Sequence, residues 1–128
     1  MKILLADDES IFRETLAAIL AKWPEHQVTI VEDGVAAWVM LNDTGRSFDL
    51  AFLDVKMPGM GGLEILQRRR ESPFYRSVQV IICTAANDRS TIAQAIQLGT
   101  NHYLVKPCTE ATIAAKLRQV GAAIELAG

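Results

Sequence analysis

Two kinds of segment alternate along this chain. Short apolar runs fall at Ile3–Ala6, Val28–Val31, Leu50–Leu53, Val78–Ile82 and Tyr103–Val105. Between them, apolar residues recur at the three- and four-residue spacing of a helix face. Phe12, Leu16, Ile19, Leu20 and Trp23 form the first such stripe, with Ser10 placed to cap it. Trp38 and Leu41 mark a second after the Gly34 turn, and Leu63, Ile65 and Leu66 begin a third after Gly61-Gly62. Ile92, Ala95 and Ile96 form a fourth that stops at Gly99, and Ile113, Leu117, Val120 and Ile124 form the last. Five strand–helix pairs in succession predict an α/β fold, a three-layer sandwich with helices on both faces of a parallel sheet. The runs at Ile3–Ala6, Leu50–Leu53 and Val78–Ile82 are continuously apolar, as central strands covered on both faces require. Val28–Val31 carries Thr29 and is flanked by Gln27 and Glu32, which suits an edge strand.

The bulk properties narrow the class. A length of 128 residues matches one domain, 1–128, and a content of 50% hydrophobic residues supplies a core and excludes disorder. The net charge of −2 gives no footprint for nucleic acid or an anionic membrane surface. The one basic run, Arg68-Arg69-Arg70, reads as a solvated helix end. No secretory signal and no run of membrane-spanning length occurs, so a cytoplasmic protein is expected. Cys83 and Cys108 lie far apart with no CxxC, and read as reduced, buried or half-buried thiols. His26 and His102 lack ligand partners and read as surface or loop positions, and Trp23 and Trp38 as core packing.

In open parallel sheets, ligands bind beyond the carboxyl ends of the strands. Asp7, Asp8 and Glu9 follow the first run, Asp54 the third, Thr84 the fourth, and Lys106 and Pro107 the fifth. Adjacent carboxylates raise one another's pKa, and a bound cation relieves that cost. Mg²⁺ prefers hard oxygens, commonly one or two carboxylates with water and phosphate. Asp8 and Asp54 can supply these, with Asp7 acting through water and the backbone carbonyl of Lys56 completing the set. Taken alone, the Asp7-Asp8 pair reads first as a charge pair at a helix N-terminus; Asp54 and Lys106 make it specific. A carboxylate at the Asp54 position can attack phosphorus to give an aspartyl-phosphate. Phosphoryl transfer then needs positioning and charge neutralisation, for which Mg²⁺, the Lys106 ammonium and the Thr84 hydroxyl offer three different partners.

The chain resembles the receiver domains of bacterial two-component response regulators, the CheY-like family, over essentially its whole length. The residues that carry the resemblance are Asp7-Asp8, Asp54 within Asp54-Val55-Lys56-Met57-Pro58-Gly59, Thr84-Ala85, and Tyr103-Leu104-Val105-Lys106-Pro107. It implies a flavodoxin-like sheet of order 2-1-3-4-5 with five helices. It implies Asp54 as phosphoacceptor, a metal site at Asp7, Asp8 and Asp54, and Lys106 as the phosphate-binding lysine. Mg²⁺ is the implied cofactor, with Mn²⁺ as a substitute. Thr84 and Tyr103 become a switch pair that reshapes the face of the fourth helix, fifth strand and fifth helix, and Lys106-Pro107 a cis bond. Lys56 and Ala86 border the phosphoryl group and influence its loss to water. The implied donor is a sensor histidine kinase or histidine phosphotransfer protein. The downstream target or output domain is unspecified, and neither direct nucleic-acid binding nor a membrane is expected. Gly61, where a polar residue is frequent, and Cys108, where Phe is frequent, depart from the pattern.

Rival readings fit less well. A dehalogenase-type phosphatase with an aspartate nucleophile needs a second Asp two positions on, where Lys56 stands. A flavodoxin-like cofactor binder needs a phosphate loop that is missing after the first run. A phosphorylation-independent interaction module of the same fold needs none of these residues. The expected protein is therefore a phosphoacceptor switch rather than an enzyme turning over an external substrate.

Overall fold

The computed structural model describes the chain except residues 44, 46, 72–77, 86, 87, 101 and 128, and except the side chains of 70, 71 and 122–127. Five strands and five helices alternate: β1 (Lys2–Ala6), α1 (Ser10–Leu20), β2 (Gln27–Val31), α2 (Gly34–Asn42), β3 (Leu50–Asp54), α3 (Gly62–Glu71), β4 (Gln79–Ala85), α4 (Arg89–Gln97), β5 (His102–Lys106) and α5 (Glu110–Ala127). All strands are parallel and lie in the order β2-β1-β3-β4-β5, the flavodoxin-like arrangement.

Period-two alternation divides the core between the two faces of the sheet. Leu4, Ala51, Leu53, Val80 and Ile82 pack with Ala37 of α2, Ile65 and Leu66 of α3 and Ala95 of α4. Ile3, Leu5, Phe52, Ile81 and Leu104 pack with Phe12 and Leu16 of α1 and Ile113 and Leu117 of α5. β1 and β3 are buried on both sides, as their unbroken apolar runs require. β2 lies at an edge and is partly exposed, in keeping with its mixed composition.

Several local expectations are corrected. Ser10 is the first helical residue of α1, not its cap; Glu9 holds the N-cap backbone and no side chain caps the helix. Asp33 and Asp88 do cap their helices, accepting from Ala36 N–H at 2.7 Å and Thr91 N–H at 3.1 Å. Gly99 does end α4, in the left-handed region at φ 103°. β4 starts after Val78 and runs on through Thr84, so Thr84 is a strand residue. His102 opens β5 half-buried rather than lying in a loop, and its pKa is lowered by burial and then by the Lys116 charge. His26 is half-buried beside the N-terminal ammonium, which its Nδ1 approaches at 3.0 Å. Arg69 is no solvated helix end: its guanidinium turns inward to donate to the Val78 carbonyl. Trp23 and Trp38 pack at the margins of the two clusters, partly buried. Cys83 is buried and Cys108 half-buried; both are free, and burial pushes both thiols up. The side chains of Arg70 and Ile124 lie outside the described residues. Among the described residues, no helix is long and apolar enough to cross a membrane.

Close packing sets opposite outcomes for two helical glycines. A Cβ on Gly34 would sit 1.5 Å from the Met60 carbonyl oxygen, whereas one on Gly121 meets nothing within 4 Å. Gly34→Ala forces backbone movement and is expected to lower stability in urea unfolding by about 3 kcal/mol. Gly121→Ala is expected to raise it by about 0.5–1 kcal/mol through helix propensity.

Candidate functional site

The parallel topology delivers four strand ends to one edge of the sheet. Asp7 follows β1, Asp54 ends β3, Thr84 is the penultimate residue of β4, and Lys106 ends β5. The register sets Asp54 opposite Cys83 and Lys106 opposite Ala85, so these tips lie at the same level. A cavity of about 260 Å³ opens there, lined by Asp8, Asp54, Lys56, Thr84 and Lys106 among others.

The Lys106 ammonium sits among three carboxylates. Its Nζ lies 2.8 Å from Asp7 Oδ2, 2.7 Å from Glu9 Oε1 and 3.4 Å from Asp54 Oδ1. It also stands 4.4 Å from the centre of the Phe12 ring, which forms a cation–π contact beside it. The Lys106-Pro107 bond is cis. Asp7 is fully buried, and its other oxygen accepts the Glu9 backbone N–H at 2.9 Å. Arg13 fixes the same turn by donating to the Asp7 carbonyl at 2.9 Å.

Electrostatics mark Asp54 out. Burial, and then the charge of Asp7, push its carboxyl up to about 7, against the opposing pull of Lys106. Contacts with the Asp8 and Asp7 side chains add to the rise. Burial alone would lower Lys106, but hydrogen bonds to Asp7 and Glu9 and the charges of Asp54 and Asp7 raise it well above its ordinary value. The three carboxylates around Lys106 thus carry more negative charge than that ammonium balances.

Asp7, Glu9 and Asp54 each offer a carboxylate oxygen, and these oxygens lie within 4.8 Å of one another. Asp7 Oδ2 is buried and faces the Lys106 ammonium at 2.8 Å. Three hard carboxylate oxygens crowded this closely fit a small divalent cation. Asp8, read from the sequence as a direct ligand, is exposed at the cavity rim with its side chain in contact with Asp54, and Glu9, also exposed, gives the third oxygen of the cluster. A carboxylate three residues beyond the first strand carries no signal of its own; the α1 N-cap turn is what brings it to Lys106.

Thr84 is buried beneath the cavity, and Tyr103 lies on the next strand opposite Ile82. Since Thr84 is two residues beyond Ile82, Thr84 and Tyr103 share one face of the sheet. The Tyr103 ring is turned outward and 36% exposed, with Lys116 Nζ 5.0 Å from its centre. Lys56 lines the cavity, and Ala86 lies outside the described residues.

Fold and site together define a doubly wound α/β domain with an acidic pocket at the strand carboxyl ends. The model of the response regulator receiver domain matches residues 3–118. The chain is 35% identical to chemotaxis protein CheY-3 of Vibrio cholerae over 94% of its own length and 91% of that protein's. It is 32% identical to the 3',5'-cyclic-nucleotide phosphodiesterase regA of Dictyostelium discoideum, of which it spans only 15%. A solved structure, the receiver domain of a Pseudomonas aeruginosa PAO1 sensor histidine kinase, matches at a TM-score of 0.82 and 26% identity over 94% of this chain and 97% of that one. That structure holds a magnesium ion coordinated in its active-site cleft. The chain belongs to the response regulator receiver domain family of two-component signalling.

The raised Asp54 pKa has a stability consequence. A folded value of about 7 against an ordinary 3.8 means that the folded state binds this proton more tightly than the unfolded chain. Ionisation of Asp54 then costs nothing below about pH 4, grows between 4 and 7, and is complete above 7. Metal-free Asp54→Asn is therefore expected to be more stable than wild type by about 1–3 kcal/mol at pH 8. Urea unfolding at pH 4 is expected to bring the two together.

Proposed function

We propose that this domain is a phosphorylation-dependent signalling switch that accepts a phosphoryl group on Asp54. The observation that carries the reading is the convergence of Asp54, Thr84 and Lys106 on one cavity with buried Asp7 behind it. The Asp54 carboxylate attacks phosphorus, an O–P bond forms, and the N–P bond of a phosphohistidine donor breaks, leaving the electron pair on the imidazole nitrogen. Lys106 pairs with one terminal phosphoryl oxygen and the Thr84 hydroxyl donates to another. Asp7, Asp8 and Asp54, with the Lys56 backbone carbonyl, would hold Mg²⁺, or Mn²⁺ in its place; when bound, the ion neutralises charge on the phosphoryl oxygens facing it. The closeness of the Asp7 and Asp54 carboxylates, the place of Asp8 and Lys56 in the cavity lining, and the magnesium held by the Pseudomonas receiver domain support that assignment.

The donor is a sensor histidine kinase or a histidine phosphotransfer protein, a role supported by the likeness to receiver domains from histidine kinases. The domain takes up and loses its own phosphoryl group and turns over no external substrate.

Phosphorylation adds about −1.5 to −2 of charge and three acceptor oxygens. Two charged hydrogen bonds, from Thr84 and Lys106, amount to about 3–6 kcal/mol. Shifting a two-state element from 1:99 to 99:1 needs about 5.5 kcal/mol, so the chemistry is of the required size. Movement of buried Thr84 toward the phosphoryl group opens space that the outward Tyr103 ring can turn in to fill. The face formed by α4, β5 and α5 changes as it does so, and a partner or output domain reads the change.

Incubation with acetyl phosphate and Mg²⁺ is expected to add the mass of one phosphoryl group. The gain should vanish with EDTA and with Asp54→Ala; a gain that survives Asp54→Ala would move the acceptor elsewhere. Followed over time after donor removal, Lys56→Ala should lose its phosphoryl group at a rate different from wild type. Amide exchange with and without beryllofluoride is expected to differ across α4, β5 and α5, and identical exchange there would remove the switch.

A further inference from the structure

Lys106 has three N–H donors, and in the resting pocket three carboxylates compete for them. These carboxylates are not equally free to leave. Asp7 is fully buried, and releasing it would strand an unpaired charge in the interior. Asp54 is the group on which the phosphoryl oxygens arrive. Glu9 alone is exposed, with 63% of its side chain open to solvent, yet it makes the shortest contact with Nζ, at 2.7 Å. It stands at the α1 N-cap, where an acidic or hydroxyl side chain commonly accepts from the helix backbone; here it makes no such bond and reaches for Lys106 instead.

We propose that Glu9 is a gate on Lys106: its carboxylate occupies the ammonium that a phosphoryl group on Asp54 must take, and phosphoryl uptake requires Glu9 to swing into water. The proposal rests on the phosphoacceptor reading of Asp54, and makes Glu9 a positioning residue that acts through Lys106. An exposed ion pair is cheap to break, so the gate is weak and reversible. The resting contact keeps Lys106 ordered and opposes occupation of the pocket by stray anions. Once a phosphoryl group is present, Glu9 is held out by like charge.

The test is titration of beryllofluoride, a phosphoryl mimic, at saturating Mg²⁺, with amide chemical shifts as readout. Glu9→Gln is expected to bind about two- to five-fold more tightly than wild type, the range of an exposed ion pair. Glu9→Asp, which keeps the charge but shortens the reach, should also bind more tightly. In a Lys106→Met background, replacing Glu9 should have no effect. Unchanged or weaker binding by Glu9→Gln would overturn the gate. So would an equal gain in the Lys106→Met background, or wild-type affinity in Glu9→Asp, since both point to simple repulsion of the anion. Wild-type protein that takes up no beryllofluoride would bring down the receiver reading and the gate with it, an outcome distinct from all of these.

Discussion

One ammonium among crowded carboxylates is the constraint on which this site depends. Lys106 is drawn toward Asp7, Glu9 and Asp54 at once, and these three carry more charge than it balances. The surplus appears in Asp54, whose carboxyl is pushed up to about 7 by burial and by Asp7. Such a pocket is poised: it gains by admitting positive charge, or by converting a carboxylate into a group whose oxygens have several partners. The same imbalance that makes the resting site costly makes it responsive.

The fold supplies the crowding at little structural expense. Parallel strands all finish at one edge, so side chains far apart in sequence meet without any long excursion of the chain. Asp7 is packed beneath Lys106 because the turn into α1 is fixed by the Glu9 N–H and by Arg13. The sheet below is apolar and tightly filled on both faces, which gives the acidic groups a rigid floor and leaves buried Asp7 and Asp54 little water to screen them. On the β5 side, Tyr103 rests outward against Lys116, on the same sheet face as buried Thr84. Pocket and outer surface are thus one strand apart, a distance a single side-chain rearrangement can bridge.

The alternation of apolar runs and helical stripes carried the architecture, because burial on two faces leaves a pattern that no other class of fold produces. All five strands and all five helices lie where the periodicity puts them, and the edge position of β2 was legible in its polar residues. Asp7, Asp54, Thr84 and Lys106 were legible because each is a polar residue at or just beyond an apolar strand. Helix starts were less so. Ser10, Asp33 and Asp88 are equally plausible caps by residue type, and only the backbone geometry separates the two that cap from the one that does not.

By itself, the order of residues determined which groups reach the carboxyl edge, since strand polarity and burial are local properties of the chain. It did not determine which carboxylates share Lys106, nor that Glu9 reaches its ammonium. It did not show that Arg69 is drawn inward to the Val78 carbonyl, or that Gly34 touches the Met60 backbone. Those outcomes depend on ångström-scale distances between segments remote in sequence. Coulomb energy and steric repulsion vary steeply over such distances, so only the assembled tertiary structure could decide them.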